Sequence, residues 1–316
     1  MHHRLSLAHI EQAIQIIDPV FLHTPQYHVE SLDPVLGCQL IVKVETLNPI
    51  RSFKGRGASY CVSQVPEHAT LVCASAGNFG QAMAYACRSS GVSLIVYASI
   101  QANPLKIERM RALGAEVRLH GADFDAAKLE AKRFAAESGM HLVEDSLDPA
   151  TGEGAGTMAI ELLRWPAPFD AMVVALGNGA MLTGMGRWMK THAPATHMIG
   201  VVAQGAPAMA ESWRTGRIVE HPQIDTIADG IGVRIPVPEA VADMQGTVDD
   251  VVLVSDETIL KAMQLLHQHL GIVVEPSGAV GVAALLENRA RFQGQRIATI
   301  ICGSNLTPEQ VQQWLG

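Results

Sequence analysis

Short apolar, β-branched runs alternate along this chain with longer stretches in which apolar residues return every three or four positions. The runs at 39–45, 70–74, 93–98, 170–176, 197–203, 250–255 and 296–302 predict strands. The stretches between them carry helix punctuation. Asn103 caps a helix with Pro104 in its first turn, Ile107, Met110 and Leu113 share a face, and Gly114 ends it. A second helix, 123–138, is closed by Gly139. A third, 256–270, has acidic residues in its first turn, turns Ile259, Leu260, Met263, Leu266 and Leu270 inward, and is followed by Gly271. Strand-then-helix alternation predicts parallel pairing with right-handed crossovers, and so the α/β class. No internal repeat, low-complexity tract or long linker interrupts the pattern.

With 316 residues, 48% of them hydrophobic and 17% charged, the chain can bury a core of one large or two ordinary domains. Its 31 acidic and 23 basic residues, net charge −8, form no long run of either sign. They leave no footprint for nucleic acid or an anionic membrane, so the expected partners are small molecules. Cys38, Cys61, Cys73, Cys87 and Cys302 make no CxxC pair; reduced thiols in the cytoplasm, and no structural zinc, are expected. The uncharged stretch 171–186 holds four glycines and an asparagine, and the N-terminus has no basic-then-apolar signal pattern. Neither export nor membrane insertion is expected.

Of seven lysines, Lys106, Lys128, Lys132, Lys190 and Lys261 lie in or beside helical patterns on charged faces, and Lys43 lies in an alternating strand pattern. Each reads as an ordinary solvated charge. Lys54 differs: Phe53 precedes it, and Gly55 and Gly57 let a bulky group approach the backbone. Two readings stand, a Schiff-base lysine that loses its proton and attacks a carbonyl, or a loop lysine at a helix N-terminus. Three strand-to-helix or strand-end turns add chemistry. Around Ser75-Ala76-Gly77-Asn78-Phe79, amides at a helix start suit a carboxylate, or form an ordinary βα turn. Gly177-Asn178-Gly179-Ala180-Met181 offers consecutive amides for a phosphate, and lacks both the GK[ST] of a P-loop and the GxGxxG of a dinucleotide site. At the end of the last strand, Cys302 either faces a ring nitrogen or packs as a small hydrophobe.

An amine for an aldehyde, a phosphate cradle, a carboxylate nest and a polar group at a distant strand end are together what pyridoxal phosphate chemistry on an amino acid requires. The chain resembles the fold type II pyridoxal-phosphate enzymes, and within them the serine/threonine dehydratases. The likeness covers nearly the whole length. It includes 43–49, Ser52-Phe53-Lys54 with Arg56-Gly57-Ala58, the Ser75 turn, 104–106 with Arg111, 114–117, 226–230, 275–279 and the Cys302 turn.

The resemblance implies a tryptophan synthase β-like fold of parallel sheets flanked by helices, with a large cofactor domain (1–47 and 150–316) and a small substrate-side domain (48–149). It makes Lys54 the lysine that binds the cofactor, with Phe53 beside it, and Asn78 the donor to the phenolic oxygen. Gly177, Asn178, Gly179, Ala180 and Met181 become the phosphate loop, and Cys302 the partner of the pyridine nitrogen. Ser75, Ala76, Gly77 and Asn78 would hold the substrate carboxylate. The chain departs from the family at Asn178, at Arg51 where glycine is common, and at Phe79 where histidine is frequent; Arg51 and Phe79 are candidate substrate contacts. Gln204 to Ala208 lack the acidic residues that bind a cation in several relatives, so no metal is expected. Ala76 lacks the hydroxyl that serves as second base in serine racemases of the family. The implied activity is β-elimination from a β-hydroxy amino acid such as threonine or serine, giving a 2-oxo acid and ammonia. The alternatives are β-replacement or elimination on O-acetylserine, 3-hydroxyaspartate, phenylserine or diaminopropionate, a racemase, or a non-catalytic cofactor-binding protein. A homodimer or homotetramer is implied, and the chain's end soon after Cys302 leaves no regulatory domain to be expected.

Overall fold

The computed structural model describes residues 3–316. Ten strands form two sheets: β1 (Gln26–His28), β2 (Gln39–Val44), β3 (Thr70–Ala74), β4 (Ser93–Ala98), β5 (Glu116–Leu119), β6 (His141–Leu142), β7 (Ala171–Ala175), β8 (His197–Ala203), β9 (Asp250–Val254) and β10 (Arg296–Ile301). The six-stranded sheet runs β1-β2-β10-β7-β8-β9 and the four-stranded sheet β5-β4-β3-β6. Every strand pairing is parallel except β1 with β2. All five residues of β7 are buried, as a parallel strand covered by helices on both faces demands.

The seven expected strands are present, each within a residue of its expected limits. The three others lacked a readable pattern. β1 and β6 are three and two residues long, and in β5 no residue is fully buried, so its solvated edge shows no apolar alternation. β1 also breaks the all-parallel expectation, because the connection 29–38 is too short for a parallel crossover and folds the chain straight back. The expected caps are in place. Asn103 accepts from Leu105 N, Asp123 from Ala126 N, and Gly271 closes its helix in the left-handed conformation.

The helix Pro149–Leu162 lies between the helices Lys54–Val62 and Ala180–His192, and glycine permits the contact on both sides. A Cβ at Gly57 would stand 2.5 Å from the Thr151 carbonyl oxygen, and one at Gly184 would stand 2.0 Å from that of Gly152. Backbone therefore rests on backbone, so the Lys54 helix and the Ala180 helix are held in one register by a shared neighbour.

Beneath this stack lies a buried ionic cluster. Arg56, fully buried, donates to both oxygens of Glu45 (2.8 and 2.9 Å) and of Glu161 (2.9 and 3.0 Å), and to Thr157 Oγ1. Lys43, also fully buried, donates to Glu161 Oε2 at 2.6 Å. This corrects the reading of Lys43 as a solvated charge. Its strand is buried from Leu40 onward, so the alternation that suggested a wet face is absent. Two cations and two anions cancel, which is the condition under which such burial is tolerated. Burial alone would raise the Glu161 carboxyl, but hydrogen bonds and charge from Arg56, with the charge of Lys43, hold it down at about 2.

Glu161→Gln leaves two buried cations facing one anion and should cost roughly 3–5 kcal/mol, read as a fall in the urea midpoint at neutral pH. The Glu161 carboxyl is depressed in the folded state. Its stabilisation is therefore complete above the ordinary carboxylate value of 4.5 and is lost as pH falls toward about 2. The stability gap between wild type and Glu161→Gln should narrow over that interval; a pH-independent gap would reject the cluster as its source.

Candidate active site

Four turns meet at the carboxyl ends of parallel strands, where open α/β sheets keep their ligands. The chain leaves β2, and Lys54 opens the helix Lys54–Val62; Ser52 forms a bridge with Gly303, and Phe53 N donates to the Cys302 carbonyl at 3.0 Å. The Lys54 segment is thus bound to the turn after β10. β3 runs into the helix Asn78–Ser89 and β7 into the helix Ala180–His192. Lys54, Phe53, Phe79, Asp145, Thr151 and Ala180 line one pocket, so the amine and the first residue of the Ala180 helix face the same space.

Lys54 Nζ lies 2.5 Å from Asp145 Oδ2, 4.8 Å from the centre of the Phe53 ring and 5.9 Å from that of Phe79. The two rings wall an amine whose side chain is only 18% exposed. Asp145 follows the two-residue strand β6, and the sequence reading missed it because that strand has no periodic signal. The only visible hint was the acidic cluster Glu144, Asp145 and Asp148. Its position is rigidly set: Ser146 has φ 69°, strained for a residue with a Cβ. Ser146 donates its N–H to Thr151 Oγ1, accepts from Arg4 Nη2 on its carbonyl, and accepts the Ala180 N–H on its hydroxyl.

Asn78 is held from both ends of its amide. Nδ2 donates to Glu275 Oε1 at 2.7 Å, and Oδ1 accepts from Asn305 Nδ2 at 2.8 Å. One N–H remains for a ligand. Glu275 is buried and also accepts from Asn305 N, while Arg109 donates to Asn305 Oδ1. Burial, with the charge of Asp229 added, pushes the Glu275 carboxyl up. Glu275 and Asn305 escaped the sequence reading as site residues because only tertiary contact brings them to Asn78. Ser75 Oγ accepts from Gly77 N and Gly80 N, which shapes the turn at the helix start. Helix geometry leaves the first-turn amides of Asn78 and Phe79 without intrahelical acceptors. Ala76 is half-buried beside this turn.

The downstream turn has Gly179 at φ 106° and no N-cap side chain; Ser146 Oγ takes the Ala180 N–H, and helix geometry leaves the Met181 and Leu182 amides without intrahelical acceptors and free for an anion. Met181 is buried in the core. Asn178, the departure from a glycine-rich loop, turns toward a second cavity of about 490 Å³ that is also lined by Asp125, Lys128, Ile224 and Arg234. Arg51 adopts φ 52°, a conformation natural to the glycine it replaces, and its side chain is exposed outside the Lys54 pocket. Its charge, after burial, lowers the Arg109 guanidinium. Cys302 is buried with Sγ 3.5 Å from the Ser277 carbonyl; burial, then the Glu275 charge, pushes its thiol far up, so it is neutral.

These residues suit pyridoxal phosphate. An amine shares its pocket with the first residue of the Ala180 helix, a neutral thiol ends the strand to which the Lys54 segment is bonded, and two buried oxygens, Asp145 Oδ1 and Ser277 Oγ, have no hydrogen-bond partner among the described residues. Unpaired buried oxygens mark places where a ligand completes the hydrogen bonding.

Comparison with known proteins agrees. The family described as pyridoxal-phosphate dependent enzymes matches residues 17–303. The L-threonine ammonia-lyase of Thermotoga maritima is 31% identical over 312 residues, covering 98% of this chain and 78% of that one. Among solved structures, a threonine deaminase from T.th. superposes with TM-score 0.89 at 32% identity, covering 96% of this chain and 99% of the other. Maize serine racemase superposes with TM-score 0.90 at 28% identity, covering 98% and 96%. Because the matched span takes in all four turns that converge on Lys54, the chain belongs to the family of pyridoxal-phosphate dependent enzymes, of fold type II, and pyridoxal phosphate is its cofactor.

Proposed function

We propose that this protein is an ammonia-lyase that removes water and ammonia from a β-hydroxy amino acid, threonine or serine, to give a 2-oxo acid. The observation that carries this reading is Lys54, walled by two aromatic rings in a pocket it shares with Ala180, the first residue of the downstream helix. The threonine ammonia-lyase and threonine deaminase relatives support the substrate class. When bound, pyridoxal phosphate supplies an electron sink for the pair left by a departing Cα proton. Lys54 would hold the cofactor, and its freed amine would take that proton. Phe53 packs beside it. The turn amides of Gly177, Asn178, Gly179, Ala180 and Met181 would hold the phosphate, and the spare N–H of Asn78 the phenolic oxygen. Cys302, as a neutral thiol, would be the partner of the ring nitrogen and would not protonate it, which would keep the sink weak and favour elimination.

The substrate carboxylate would lie on the turn Ser75, Ala76, Gly77 and Asn78, where a helix N-terminus stabilises an anion. Phe79, which lines the Lys54 pocket, would close it over the substrate. Loss of the β-hydroxyl as water leaves an enamine that hydrolyses to the 2-oxo acid and ammonia. Ala76 has no hydroxyl to act as a second base, which argues for elimination over racemisation. We assign residues 1–47 and 150–316 to a cofactor domain and 48–149 to a substrate-side domain; the two sheets, each drawn from one of these sets, support the division. We further place the enzyme in the cytoplasm, as a homodimer or homotetramer. The five free, buried cysteines support a reducing compartment.

Lys54→Ala should lower turnover of threonine and serine by at least about 10²–10⁴-fold while far-UV circular dichroism stays unchanged. Near-wild-type release of 2-oxo acid by that variant would reject the assignment. A panel of amino acids scored for 2-oxo acid, with and without an added nucleophile, separates elimination from replacement.

A further inference from the structure

Among the described residues that line the Lys54 pocket, Asp145 is the one carboxylate. Its Oδ2 lies 2.5 Å from Lys54 Nζ, whereas Oδ1 is buried and has no hydrogen-bond partner. Thr151, the other polar side chain of the lining, is already committed: its hydroxyl donates to the Asp148 carbonyl and accepts the Ser146 N–H. Deeper groups are no better placed to move a proton. Both oxygens of Glu275 accept hydrogen bonds, one from Asn78 and one from Asn305, and the Cys302 thiol donates to the Ser277 carbonyl. Elimination of a β-hydroxyl needs two proton movements, one from Cα to a base and one to the departing oxygen, because hydroxide is a poor leaving group. Lys54 accounts for the first. Of the described pocket residues, only Asp145 both hydrogen-bonds to Lys54 Nζ and keeps a free oxygen for the second.

We propose that Asp145 is a second catalytic residue, a proton relay that carries the Cα proton from Lys54 to the departing β-hydroxyl. The inference rests on the dehydratase reading given above. A carboxylate accepts hydrogen bonds at both oxygens, and once protonated it becomes a donor. The Cα–H electron pair forms the Cα=Cβ bond, and the proton goes to Lys54 Nζ. The ammonium so formed passes a proton to Asp145 Oδ2. Rotation about the soft Cβ–Cγ torsion exchanges the two oxygens and brings the O–H to the position that Oδ1 held. There it protonates the β-oxygen as the Cβ–O pair leaves with water. Lys54 ends neutral and Asp145 ionised, as each began, and no oxidant, reductant or added acid is needed. Asp145 is held for this role by the turn at Ser146, whose φ of 69° is fixed by hydrogen bonds to Thr151, Arg4 and Ala180.

The test uses the cofactor-loaded enzyme and its Asp145→Asn form, with kcat/KM measured for L-serine and for β-chloro-L-alanine, whose chloride departs without a proton. Loss of a general acid costs about 10²–10⁴-fold, so the ratio of chloroalanine to serine efficiency should rise in the variant by about 10²-fold or more. Serine recovered unreacted from the variant in deuterium oxide should carry the label at Cα, since Lys54 still removes that proton while the hydroxyl stays. Asp145→Glu, which returns an acid to the site, should move the ratio back toward wild type. Asp145→Ser provides the same comparison should the asparagine form not accumulate. A readout independent of turnover comes from titrating the apoproteins with pyridoxal phosphate and following visible absorbance; wild type and Asp145→Asn should bind it with equal affinity. Weaker cofactor binding, or equal losses on serine and chloroalanine, would reduce Asp145 to a positioner of Lys54 and overturn the relay. Full serine turnover by Asp145→Asn would overturn it too, and each of these results leaves the dehydratase reading intact. Wild-type elimination from chloroalanine with none from serine or threonine would reject that reading and the relay with it.

Discussion

The arrangement depends on Arg56. Two residues after Lys54, its guanidinium is spread between Glu45 at the end of β2 and Glu161 in the helix Pro149–Leu162, with Lys43 completing the neutral cluster. A buried, fully hydrogen-bonded cation cannot slide or rotate without exposing an unpaired charge. The first turn of the Lys54 helix is consequently fixed against the six-stranded sheet. Glycine contacts carry that order onward, because the helix that receives Arg56 also packs backbone to backbone against the Ala180 helix. The amine and the amide turn therefore keep their separation as a property of packing, independent of any ligand.

Around this rigid side the remaining groups are arranged by reach across the sheets. Asn78, from the four-stranded sheet, is held by Glu275 and Asn305, which lie on either side of β10 in the chain. Arg109, on a helix of the four-stranded half, holds Asn305 in turn. The two halves of the molecule thus share one hydrogen-bond network at the site. Its charges are managed differently from those of the Arg56 cluster. There the carboxylate oxygens are all paired, whereas at the pocket Asp145 keeps an open oxygen and Glu275 is biased toward its neutral form. Closed networks hold structure, and open ones await a ligand.

The strands, the helix caps and the four turns were legible in the amino-acid order, because each is a local pattern. β7 lies in a run of apolar residues between Asp170 and Gly177, Asn103 and Asp123 sit where a cap must, and Lys54 lies between an aromatic ring and glycines. β1, β5 and β6 were illegible for the opposite reason, being too short or too exposed to show a period. Lys43 misled, since a lysine inside a strand looks solvated until its neighbours are known. Arg51 and Asn178, which sequence placed beside the chemistry, turn instead to solvent and to the second cavity.

Residue order alone determined the class of fold, set Lys54 apart from the other lysines and marked the turns at helix starts, since helix periodicity, glycine and capping residues act over a few positions of chain. Tertiary structure alone decided that Asp145 faces Lys54, that Glu275 and Asn305 orient Asn78, and that Lys43 is buried. Those pairings join residues 91, 197, 227 and 118 positions apart. No local pattern encodes such distances; they follow only when packing of the two sheets and their helices brings the strand ends together.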